Sequence, residues 1–220
     1  MIEFRSVSKT FDLDGGGKPV LSNVTARFPA GSVVGLLGRN GTGKSTVLKM
    51  IAGTMLPTTG EIVTSGAVSW PVGFAGSFHP DLTGLQNARF IARIYGVDTD
   101  ELCDFVEDFA GLGQHFRFPL RTYSSGMKSR LAFGVSMGIG FEIYLIDEIT
   151  AVGDAAFREN SMRYLRERLE NAGAVMVTHS MPEVRRICTS VAVLERGRMR
   201  YFDDVDEGIA YHQQAMKQDA

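Results

Sequence analysis

At 220 residues the chain can bury one substantial core, enough for a single domain with one or two inserted subdomains. A hydrophobic share of 44% beside 22% charged residues excludes a disordered chain. A net charge of −2, with Lys and Arg spread along the length, supplies no basic patch for a nucleic-acid backbone.

Chain order begins with strands. Ile2, Phe4 and Val7 are apolar ahead of a turn-rich break at Gly15 to Gly17, and Val24, Ala26 and Phe28 alternate before Pro29; this pattern predicts a half-exposed antiparallel sheet. Val33 to Leu37 is continuously apolar, as in a parallel strand buried on both faces, and runs directly into Gly38. Between Leu82 and Gly113 the period becomes helical. Thr83 and Gln86 form a capping box that opens one helix through Phe90, Ile91 and Ile94. Leu102, Phe105, Val106 and Phe109 mark a second helix, stopped at Gly111. From Ile143 onward the expectation is a strand to Ile146, a helix over Ala155 to Glu170, a strand over Ala174 to Val177, and a short helix near Pro182 to Ile187. A hairpin then turns at Arg196-Gly197.

With the glycine-rich segment Gly38 to Thr46, which ends in Gly43-Lys44-Ser45-Thr46, directly after the buried strand Val33 to Leu37, the expected fold class is α/β: a P-loop NTPase core with a parallel sheet, an N-terminal antiparallel β subdomain and a helical insertion. We expect one domain over 1–220, with residues 1–80 and 135–220 as the core and 81–134 as the helical part. Cys103 and Cys188 stand far apart without a CxxC, so neither a disulfide framework nor a zinc site is expected, and a reducing compartment fits. Met1 to Asp14 is interrupted by Glu3, Arg5, Lys9 and Asp12, unlike a signal peptide. The longest apolar stretch, Ala132 to Phe141, is half a bilayer span, so work at a membrane is expected to need another chain that crosses it.

Gly38-Arg39-Asn40-Gly41-Thr42-Gly43-Lys44-Ser45-Thr46 matches G-x-x-x-x-G-K-S/T, and the apolar strand before it and helix pattern after it are the context that motif requires. Its glycines let successive backbone N–H groups face phosphates; Lys44 reaches the β and γ oxygens and Ser45 ligates Mg2+. Ile143 to Ile146 ends in Asp147 and Glu148. Beside a phosphate loop, Asp147 is assigned to the magnesium shell and Glu148 to the attacking water, because phosphoryl transfer needs charge neutralisation and an oriented nucleophile. These assignments make Lys44 and Glu148 candidate catalytic residues of an ATPase. His179, after the strand ending at Thr178, can touch the γ-phosphate or the water; a structural strand-end His is the alternative. Ser124, with the backbone of Gly126, can present donors to an anion at the start of a helix expected near Lys128; a plain serine cap is the alternative.

Taken in order, the phosphate loop, Ser124-Ser125-Gly126, the Asp147-Glu148 strand, Asp154 and His179 resemble the nucleotide-binding subunit of ATP-binding-cassette (ABC) transporters over nearly the whole chain. Trp70 to Asn87, Tyr123 to Gly134 and Asp147 to Phe157 are similar to exporters of capsular polysaccharide and related surface glycans. The resemblance implies a head-to-tail pair of copies, with ATP held between one copy's phosphate loop and the other's Ser124, Ser125 and Gly126. It implies His179 as a catalytic residue, Phe11 as the aromatic stacking on adenine, with a strand-end core Phe as the alternative, and Asp154 in a loop linking the two sites. It also implies a membrane permease as partner, through which polysaccharide is mainly contacted, and a peripheral place on the cytoplasmic face of a bacterial inner membrane. No nucleic acid is expected.

Several positions depart from the family pattern. The signature glycine and glutamine are Ser125 and Met127, the proline after the acidic pair is Ile149, and no glutamine stands near Gly73 to Ala75. These changes match the polysaccharide-export branch. The sequence is expected to leave no room for the added glycan-binding domain of some O-antigen exporters, which favours a capsule-type subunit; an O-antigen or teichoic-acid exporter is the alternative. A single cassette without heptad run or basic patch speaks against a soluble ABC-type ATPase acting on ribosomes or DNA.

Overall fold

A computed structural model describes residues 1–13, 16–73, 76, 78–147 and 154–218. The fold is α/β, and its contacts separate two compact units.

The first unit comprises Met1–Ser69, Phe141–Glu148 and Leu169–Ala220. Strands β1 (Ile2–Leu13), β2 (Gly16–Phe28) and β4 (Thr59–Thr64) form an antiparallel sheet in the order β2-β1-β4. Leu13 of β1 pairs with Gly16 of β2, so the two strands flank the expected break near Gly15 to Gly17. A second sheet has six strands: β5 (Val68–Pro71), β6 (Ile143–Asp147), β7 (Gly173–Val177), β3 (Val33–Leu37), β8 (Ser190–Glu195) and β9 (Arg198–Phe202), in that spatial order. Strands β6, β7, β3 and β8 are parallel, and β9 returns antiparallel to β8 as the hairpin expected at Arg196-Gly197. Every residue of β3 and β7 is buried, which explains why their sequences are apolar runs and not alternations. Helix α1 (Lys44–Ile51) places Val47, Leu48 and Ile51 in one core with Phe4, Phe28, Leu36 and Leu145. Phe4 meets Phe28 edge-on, centroids 5.3 Å apart.

The second unit comprises Trp70–Gly140 with the described part of Ile149–Arg168. Helix α2 (Gly84–Tyr95) opens on the expected capping box: Thr83 Oγ1 accepts from Gln86 N at 3.1 Å, and Gln86 Oε1 accepts from Thr83 N at 2.9 Å. Helix α3 (Thr99–Ala110) ends at Gly111 in the left-handed region. Helices α4 (Ser125–Gly138) and α5 (Ala155–Leu169) complete it. The stretch from Ala132 is apolar because α4 is buried from Leu131 to Met137. Its glycine spacing has a packing cause as well. A Cβ on Gly138 would lie 2.3 Å from Leu102 Cδ1 of α3, so a larger residue here would have to displace that side chain. Phe109 anchors the unit, stacked on Phe133 and edge-on to Phe157 and Tyr164.

Two strands and one helix were not expected from the sequence: β4, β5 and α7 (Val205–Gln218), whereas α6 (Met181–Ile187) is the short helix expected near Pro182 to Ile187. Helix α4 begins at Ser125, not near Lys128, because Ser124 caps it. No helix among the described residues is long and apolar enough to cross a membrane.

Candidate active site

The loop from Gly38 to Gly43 joins buried strand β3 to α1, and local sterics select its residues. A Cβ on Gly38 would lie 2.6 Å from the backbone oxygen of Leu194. Gly43, the residue before α1, has φ 104°, and a Cβ there would lie 2.0 Å from Val20 Cγ1. Only glycine fits that position on both counts. No side chain caps α1 and no acid sits in its first turn. The partial positive charge of the helix start is therefore offered to a ligand and not consumed by the chain. Lys44 is nearly buried, and its Nζ donates to the carbonyls of Gly38 at 2.7 Å and Arg39 at 3.0 Å, which fixes the ammonium along the inside of the loop. Thr42 Oγ1 donates to Arg39 O at 2.9 Å and braces the same turn. Arg39, Asn40, Gly41 and Ser45 are exposed at the loop surface, and Thr46 is half-buried.

The parallel register brings further candidates to this sheet edge. Gly35 of β3 lies level with Met176 of β7, and Val177, the next residue of β7, lies level with Asp147 at the end of β6. The strand ends thus deliver the phosphate loop, Asp147 and, two residues past Val177, His179 to the carboxyl edge of one sheet, where ligands of open α/β sheets bind. His179 is exposed between two fixed points: Thr178 Oγ1 accepts from Ser180 N at 3.1 Å and donates to Glu183 at 3.1 Å. Ser45 and Asp147 offer the hard oxygen donors that suit magnesium, an ion that takes one or two protein ligands and completes its shell from phosphates and water. Glu148, the candidate for orienting water, lies outside the described residues, as do 149–153.

Phe11 is half-buried in β1 opposite Lys18, with Lys9 Nζ 5.2 Å from its ring centroid. It is not among the described residues of the core cluster around Phe4 and Phe28.

A cavity of about 350 Å³ opens at the phosphate loop, lined by Pro19, by residues 38–42, by the end of β8 with the Arg196-Gly197 turn, and by His212, Ala215 and Met216 of α7. The sequence reading missed this wall. The signal was present: Asp204 followed three residues later by Glu207 is a helix-start pattern, and Asp204 Oδ1 accepts from Glu207 N at 2.8 Å.

The second unit holds the Ser124 segment. Ser124 is exposed with its Oγ accepting from Met127 N at 3.2 Å, so it caps α4; Ser125 is exposed and Gly126 half-buried in the first turn. Asp154 caps α5 through Phe157 N at 2.9 Å and pairs with Arg130 of α4 at 2.7 Å. The Phe157 amide first, and then the Arg130 guanidinium, hold its carboxyl below the usual carboxylate range. Arg130 also stacks over the Phe157 ring at 4.7 Å. Phe74, Ala75 and Ser77, in the region of the absent glutamine, lie outside the described residues.

The family model described as "ABC transporter" matches residues 21–151. The chain belongs to the ABC transporter family. It is 42% identical over 212 residues to the capsule polysaccharide export ATP-binding protein CtrD of Neisseria meningitidis serogroup B, covering 96% of this chain and 98% of that protein. Against the O-antigen export system ATP-binding protein RfbB of Klebsiella pneumoniae the identity is 36% over 200 residues, 89% of this chain and 81% of the relative. A dimeric ATP-binding cassette, MJ0796, solved with ADP and phosphate, superposes with a TM-score of 0.77 at 23% identity, covering 91% of this chain and 97% of the other, and shares the fold. As a family member the chain is an ATPase whose hydrolysis is coupled to transport, in keeping with a phosphate loop built to receive a nucleotide. The ABC motifs divide between the units: phosphate loop, Asp147 and His179 in the first, Ser124 to Gly126 and Asp154 in the second.

Proposed function

We propose that this chain is the ATP-hydrolysing subunit of an exporter that moves capsular polysaccharide across a bacterial inner membrane. The observation that carries the reading is similarity along practically the full length to a capsule export ATP-binding protein at 42%, above the 36% to an O-antigen counterpart. ATP binds with its phosphates in the loop of residues 38–46. Lys44 neutralises the β and γ oxygens, Ser45 and Asp147 hold Mg2+, Glu148 orients the attacking water and His179 contacts the γ-phosphate. Phe11 stacks on adenine. Ser124, Ser125 and Gly126 of a second copy close over the same nucleotide, with Asp154 beside the loop that joins the two sites.

ATP drives the cycle because it binds the closed pair of copies in preference to the open one, and hydrolysis removes that preference. A membrane permease reads the difference. Support for its docking place comes from α2, where Phe90 is 54% and Ile94 58% exposed, one turn apart on the same helix face.

The experiment is complementation in the source bacterium with the gene removed. Wild type restores surface polysaccharide, Lys44→Ala leaves the polymer inside the cell, and Glu148→Gln isolated with Mg-ATP carries a polytopic membrane protein. Surface polysaccharide that stays at the wild-type level without the gene would sink the export assignment.

A further inference from the structure

The last helix lies against the phosphate loop, and its first half is firmly anchored. Ile209 is fully buried, and a Cβ on Gly208 would lie 2.7 Å from Val191 Cβ, so α7 packs close on β8. The Tyr211 ring sits 5.2 Å from Phe202, its hydroxyl donates to Glu195 at 3.3 Å, and Arg185 pairs with Asp206 at 2.7 Å. From this base the following turn carries His212, Ala215 and Met216 along one side of the cavity whose other side is Gly38 to Thr42.

Among the described residues lining that cavity, basic groups outnumber acids. Arg39 and Arg196 line it, and the charges of Lys44 and His179 reach His212. Glu195 is the acid among the lining residues, and it accepts the Tyr211 hydroxyl. Burial first, then Lys44 and His179, hold the His212 imidazole below its usual range, against the opposing pull of Glu195. A hollow lined by loop backbone and ringed by cationic groups takes a polyphosphate.

We propose that His212 is a further nucleotide-binding residue, contacting the polyphosphate of ATP held in the phosphate loop, so that α7 forms a wall of the active site. The inference rests on the reading of residues 38–46 as the nucleotide site. It differs from that reading in assigning a phosphate contact to the last helix.

The test is the affinity of the full-length purified chain for Mg-ATP, by titration calorimetry, in wild type, Lys44→Ala, His212→Lys, His212→Gln and His212→Glu. Melting temperatures confirm that each variant is folded; His212 is half-buried on a helix anchored elsewhere, so the series keeps at least its conservative members. The expected order follows charge: His212→Lys binds like wild type, His212→Gln is weaker by about tenfold, the loss of one charge-assisted hydrogen bond, and His212→Glu is weakest. AMP binding stays level along the series, because the contact is to the distal phosphates. A merely structural His212 would not sort variants by charge. Equal affinities for wild type, Gln and Glu variants, with Lys44→Ala still defective, would overturn the inference and leave the nucleotide site standing. Tighter binding by the Gln and Glu variants would overturn it too, and would make α7 a plug. A wild-type chain that binds no Mg-ATP removes the site itself and the inference with it.

Discussion

The two candidate phosphate-facing helix starts, α1 in the first unit and α4 in the second, are built on opposite plans. Helix α1 follows a glycine at φ 104°, has no side-chain cap, and carries a nearly buried lysine threaded under its loop. Helix α4 follows Ser124, whose own oxygen already accepts from Met127 N. The first end leaves its dipole and amides for a ligand; the second closes its own first turn and keeps only an exposed hydroxyl to share. An uncapped, glycine-fronted helix start therefore marks a primary phosphate site. A capped one can join only as a supplementary wall, which suits a segment that closes over a nucleotide bound elsewhere.

The comparison breaks most visibly at Lys44. Replacing Lys44 by Ala is expected to lower steady-state ATPase activity by at least about a hundredfold, the scale of losing one aligned charge in a transfer site; an activity within a few-fold of wild type would remove the loop from catalysis. Glycine substitutions sharpen the contrast next. Gly43→Ala forces a non-glycine φ and a clash with Val20, and should cost about 2–4 kcal/mol in urea unfolding. Among the described residues a Cβ on Gly126 meets only Ser124 Oγ at 3.9 Å, so Gly126→Ala should stay within about 0.5 kcal/mol of wild type while losing ATPase activity.

At Ser124, two variants separate capping from ligand contact. Ser124→Ala loses the cap, about 1 kcal/mol, whereas Ser124→Asp keeps a capping oxygen and places a negative charge toward phosphate. The Asp variant should melt like wild type and be the less active of the two. The smallest effect is at Asp154. Its folded carboxyl is held below the usual range, so its stabilisation is present above the unfolded value of about 3.9 and is lost as pH falls through the folded value. Asp154→Ala should melt lower than wild type at pH 7, and the two curves should converge in strong acid.

Local chemistry decided what the sequence disclosed. The phosphate loop was legible because strand, loop and helix are contiguous, and the capping box at Thr83 and the glycine stop at Gly111 are likewise written within a few residues. Strands β4 and β5 were not, because β4 runs from exposed to half-buried without alternation and β5 is four residues long. Helix α4 begins three residues before Lys128 because Ser124 accepts from Met127 N, which draws Ser125 to Met127 into the first turn. The place of His212 beside the phosphate loop is a tertiary fact, set by how α7 packs on β8 and β9, and no spacing in the chain encodes it. The common sheet edge of the phosphate loop and Asp147 was inferable only through motif order, since β7 lies between β6 and β3.

The central claim is that each nucleotide is held by the phosphate loop of one copy and the Ser124 segment of another. Mixing two inactive proteins tests it most directly: Lys44→Ala keeps an intact Ser124 segment, and Ser124→Asp keeps an intact phosphate loop. The account predicts that ATPase activity, absent from either protein alone, returns when the two are combined, because a mixed pair rebuilds one complete site. A mixture as inactive as its components, with mixed pairs demonstrably formed, would contradict it and confine each site to a single chain.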